Sequence, residues 1–82
     1  MKYIWMEKPE DFHTLLYRQD PDQKIPQRMA VISPLIKYTE DEPEPYWTGR
    51  WRARIITSKQ QKFFSSVQQA KDWAQAVILL TQ

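Results

Sequence analysis

From Tyr46 to Thr57 the chain alternates. Trp47, Gly49, Trp51, Ala53 and Ile55 fall on one parity; Tyr46, Thr48, Arg50, Arg52, Arg54 and Ile56 fall on the other. Successive side chains of a strand point to opposite faces, so the run predicts a half-buried strand with one apolar face. The other face carries a stripe of arginines, Arg50, Arg52 and Arg54, spaced roughly 7 Å apart along the strand. Residues 29–38 are apolar on both parities, which predicts a strand covered on both faces or central in its sheet. Pro34 cannot donate to a ladder, so a break or bulge is expected near it. Residues 2–6 are rich in β formers and read as a short strand. Residues 62–64 read as the last strand of a meander with the two long ones.

Two stretches show helical spacing. Phe12, Leu15 and Leu16 stand at i, i+3 and i+4 in residues 9–18. Pro9 suits a first helical position, and Glu10 and Asp11 suit the positive end of a helix dipole, so a short amphipathic helix is predicted. Val67, Ala70, Trp73, Ala74, Val77 and Ile78 repeat at helical spacing with a polar opposite face. Ser65 with Gln68, or Ser66 with Gln69, forms a capping box ahead of them. A helix over about 66–80 follows. Residues 20–27, 39–45 and 58–61 read as loops, the middle one acidic and proline-rich.

The predicted order is β-α-β-β-β-α: a single α+β domain over residues 1–82. Its antiparallel sheet has three to four strands, depending on whether strand 2–6 joins it. The C-terminal helix packs on one face, and a short N-terminal helix precedes the long strands. The helix should cover Trp51, Ala53 and Ile55, because turning Arg50, Arg52 and Arg54 inward would bury three guanidiniums at several kcal/mol each.

The order helix, three strands, helix resembles that of the double-stranded RNA-binding domain. Residues 64–74, with Lys71 and Ala74, resemble the start of that family's last helix. The family's paired lysines are Gln68 and Gln69 here, and an acidic, proline-rich loop replaces its Gly-Pro-x-His loop. Strand 2–6 is also foreign to it. The chain is therefore not placed in that family.

Charge sharpens the picture. Residues 1–44 hold six Lys/Arg and nine Asp/Glu, a balance of −3; residues 45–82 hold six and one, a balance of +5; the sum is the net +2. The basic half contains the arginine stripe and favours anionic partners. The chain has no cysteine, which excludes disulfides and thiolate chemistry and suits a reducing cytoplasm. No apolar run is long enough to span a bilayer, so no membrane partner is expected. Lys2 with four apolar residues, cut off by Glu7 and Lys8, does not read as a signal peptide.

Catalytic chemistry is not expected. His13 is the only histidine, so no His/Cys metal cluster can form. The acids of residues 40–44 sit in a turn that cannot hold carboxylates in fixed geometry. One glycine rules out a glycine-rich phosphate loop. No catalytic residue, metal or small-molecule cofactor is assigned, and binding is left. In one reading the basic strand face takes nucleic acid: Arg50, Arg52 and Arg54 meet phosphates, Lys59 and Lys62 assist, and Tyr46, Trp47 or Phe63 stack on bases. In the alternative reading the chain is a protein-binding module or a regulator of a partner protein. Eleven aromatics exceed the needs of a small core, and Trp, Tyr and Arg are the residues that anchor interfaces. That partner is a second copy of the chain, another protein, or an enzyme held inactive.

Overall fold

The computed structural model describes residues 2–41 and 44–80. Five strands and one helix follow in order: β1 (Lys2–Lys8), β2 (His13–Gln19), β3 (Gln27–Lys37), β4 (Tyr46–Ile55), β5 (Gln61–Phe64) and α1 (Val67–Leu80). The strands form one antiparallel meander, β1-β2-β3-β4-β5. The α+β class, the hairpin of the two long strands and the C-terminal helix agree with the sequence pattern. The strand number does not. The sheet has five strands rather than three or four, because β1 joins it and β2 occupies the place of the predicted N-terminal helix.

That helix is absent for a physical reason. A helix of about ten residues is marginal without tertiary support. As a strand, residues 14–18 pair on both sides: Leu15 faces Met6 and Val31, and Leu16 faces Trp5 and Ala30. Thr14, Leu15 and Leu16 are all buried, Thr14 and Leu16 on the helix side and Leu15 on the opposite face, in register between Met6 and Val31. Residues 9–12 form the turn instead, with the Asp11 and Phe12 amides donating to the Lys8 and Pro9 carbonyls. Without an N-terminal helix, the element order shared with the double-stranded RNA-binding domain is lost.

One sheet face carries α1. Its rows read Trp5-Leu16-Ala30-Ile55, then Glu7-Thr14-Ile32-Ala53-Lys62, then Pro34-Trp51-Phe64. Ala30 and Ala53 lie in the middle, fully buried with Ala70 and Ala74 of the helix. Small residues on both sides let helix and sheet approach closely, while Trp5, Trp51, Phe64 and Trp73 fill the flanks. The helix starts at the second predicted capping box: the Gln69 amide donates to Ser66 Oγ at 3.2 Å. Gln69 Oε1 accepts from Ser65 Oγ rather than reaching back to an amide. No described helix is long and apolar enough to cross a membrane.

Two irregularities shape β3. Leu16 pairs with Ala30 but Tyr17 pairs with Arg28, so Met29 is an extra, bulged residue. Farther on, Pro34 pairs with Trp51 and Ile36 with Trp47, so Leu35 alone opposes Thr48, Gly49 and Arg50. The bulge expected near Pro34 is thus present, with its excess in β4. Gly49, the only glycine of the chain, adopts φ +82° there. Thr48 Oγ1 donates to the Leu35 carbonyl at 2.9 Å, which ties the bulge down.

The long hairpin outruns its neighbours. β2 pairs with β3 only as far as Ile32, and β5 pairs with β4 only as far as Trp51. Beyond these points the ribbon of β3 and β4 projects alone. Pro34 lies there, where β3 has a partner on one side and the missing amide costs least. The molecule is accordingly long, 51 × 24 × 20 Å, with a radius of gyration of 14.4 Å. A compact chain of this length would have about 12 Å.

Candidate functional site

The face opposite α1 has no second layer. Register sets its rows: Ile4-Tyr17-Arg28, then Met6-Leu15-Val31-Arg54-Gln61, then Ser33-Arg52-Phe63. Arg28, Arg52 and Arg54 meet around Val31, Ser33 and Ile56, lining a shallow depression of about 310 Å³. All three arginines are exposed. The ion pair found is Arg18 with Asp20, at 3.1 Å; among the described residues no carboxylate pairs with Arg28, Arg50, Arg52 or Arg54. The one acid in any strand is Glu7, and its register with Thr14 puts it on the helix side. Alternation from Met6 puts Lys8 on the open face, paired with His13. The open sheet face is therefore positive without interruption by a strand carboxylate.

Arg28 reaches this face only through the Met29 bulge. Without the extra residue it would share the parity of Ala30 and point under the helix. Its guanidinium carbon lies 6.0 Å from the Tyr17 ring centroid, a cation–π distance that orients the planar group. Phe63, opposite Arg52 on the outer strand, is 43% exposed.

The residues singled out from sequence do not all converge. Arg52 and Arg54 stand together in the depression. Arg50 is exposed at the Gly49 bulge, outside it. Lys59 lies in the turn after β4 with φ +61°, its amide donating to the Ile55 carbonyl. Lys62 opposes Ala53, so it points to the helix side, with Nζ 5.8 Å from the Phe64 ring centroid. Tyr46 pairs with Lys37 near the tip of the ribbon. Trp47 lies on the same side as Trp51, away from the arginines, with ring centroids 5.6 Å apart.

Those two tryptophans open a second feature on the helix side. Phe12, Pro34, Ile36, Trp47 and Trp51 line an apolar cleft of about 330 Å³, past the end of α1. The Trp47 indole N–H donates to the Arg50 carbonyl at 3.1 Å, so its polar handle is satisfied within the chain. Phe12 is 69% exposed and holds φ +56°, an unusual conformation for a bulky residue. Sequence reading missed Arg28, hidden by the bulge, and Phe12, assigned there to a helix. Among the described residues no three of His, Asp and Glu are grouped to hold a metal ion. No family model matches the chain, and neither a curated protein nor a solved structure shows significant similarity to it.

Proposed function

We propose that the chain is a non-catalytic, cofactor-free cytoplasmic binding protein whose open sheet face takes nucleic acid. One observation carries the reading: Arg28, Arg52 and Arg54 converge on one depression with no carboxylate to neutralise them. Like charges at about 7 Å repel by roughly 0.6 kcal/mol per pair in water, and more near a protein surface. A fold gains nothing from gathering them. A phosphate among them removes the repulsion and accepts charge-assisted hydrogen bonds. The face is wide and uncovered, as a polymer backbone requires.

Fluorescence anisotropy with a labelled oligonucleotide tests this. Replacing Arg28, Arg52 and Arg54 together by glutamine should weaken binding about a thousandfold or more, at about 1.5 kcal/mol or more for each of the three charged contacts. An affinity unchanged by the triple replacement sinks the reading. A second reading, a protein-binding module, draws support from the apolar cleft, because exposed apolar clefts of this kind mark interfaces. In that case Trp47→Ser should abolish capture of the partner while the arginine variant retains it.

A further inference from the structure

The open face also bears on which form of nucleic acid it takes; this step rests on the basic-face reading above. Two groups there are not needed for phosphate contact alone. Phe63 is a bare benzene ring, 43% exposed, directly across from Arg52. On the other side of the cluster, Tyr17 supports the guanidinium of Arg28. A nucleobase stacks on either kind of plane, and does so without regard to sequence. From Tyr17 on β2 to Phe63 on β5 is three strand spacings and two rows, a diagonal of about 20 Å. Arg52 and Arg54 lie between the two planes.

Nothing on this face suits a duplex groove. Base readout in a major groove takes a helix or a two-stranded ribbon. The helix α1 is packed on the opposite face. The one ribbon that projects, β3 with β4, leads into a loop bearing Glu40, Asp41 and Glu44, whose charge phosphates repel. In a duplex the base faces are hidden in the stack, whereas in a single strand they can reach Phe63. We infer that the open face binds single-stranded nucleic acid in preference to duplex, with Phe63 stacking on a base while Arg28, Arg52 and Arg54 hold the backbone.

The test is fluorescence anisotropy of the full chain with a labelled single strand and with the duplex of the same sequence. Phe63→Leu keeps apolar bulk and removes the π face; the position is exposed on an edge strand, and circular dichroism checks that the fold is kept. The single strand should bind about tenfold tighter than the duplex, or better, as one stacked base allows. Phe63→Leu should weaken single-strand binding roughly 5- to 150-fold and leave duplex binding unchanged. Arg52→Gln with Arg54→Gln should weaken both. Duplex binding equal to or tighter than single-strand binding overturns the inference. So does an unchanged affinity in Phe63→Leu. In both cases the basic-face reading survives if the arginine variant still weakens binding. If neither nucleic acid binds, both fall together.

Discussion

At the scale of single residues, backbone conformation and charge make separate demands. Gly49 has φ +82°, and a Cβ built there meets nothing within 4 Å. Gly49→Ala should therefore cost about 1 kcal/mol through the backbone alone, with no steric term, read as a shift of the urea midpoint. A loss well above that would mean the bulge depends on space at this position. The arginines make the opposite demand. Arg52 and Arg54 are exposed and unpaired among the described residues, so replacing both by glutamine should leave stability within about 0.5 kcal/mol. Relief of their mutual repulsion would place any change on the stabilising side. A fall of more than about 2 kcal/mol would show that they hold the fold instead of a ligand. Arg28 shows where single-residue reading stops. Its parity is reversed by the Met29 bulge, and nothing about an Arg-Met-Ala-Val run announces that bulge.

At the scale of elements, what was legible was what is decided locally. The alternation of β4 and the spacing of α1 each follow from one short run of residues. The start of α1 was legible down to two adjacent serines, and the structure chooses Ser66. Ser66→Ala should cost about 1 kcal/mol in thermal or urea unfolding, the ordinary value of an N-cap. Ser65→Ala should stay within about 0.5 kcal/mol. The reverse order would move the cap to Ser65. β2 was not legible, because its state is decided elsewhere. Phe12, Leu15 and Leu16 fit a helical face, but Leu15 is buried on one side of the sheet and Leu16 on the other. Only the flanking strands β1 and β3 make that possible. The candidate site divides in the same way. Arg52 and Arg54 were visible as a stripe within one strand and Phe63 as a stacking candidate on the next, whereas Arg28 and Tyr17 come to them from two other strands.

At the scale of the molecule, the two faces of the sheet carry different surfaces. One is closed by α1, which packs on β3, β4 and β5, and ends in the apolar cleft of Phe12, Trp47 and Trp51. The other is open and basic. Its binding should therefore be electrostatic. With about three phosphate contacts, the log–log slope of affinity against salt should be about −2 for a single strand, at about −0.7 per contact. Removing one arginine should flatten the slope by about that increment. An interface anchored by the cleft would show little salt dependence. The most direct measurement is an amide-resolved NMR titration of the labelled chain with a short single-stranded oligonucleotide at low and moderate salt. Binding at the open face predicts salt-sensitive shifts at Arg28, Arg52, Arg54 and Phe63, with the exposed side of α1 unmoved. Silence at those positions, or shifts confined to Phe12, Ile36 and Trp47, would contradict it.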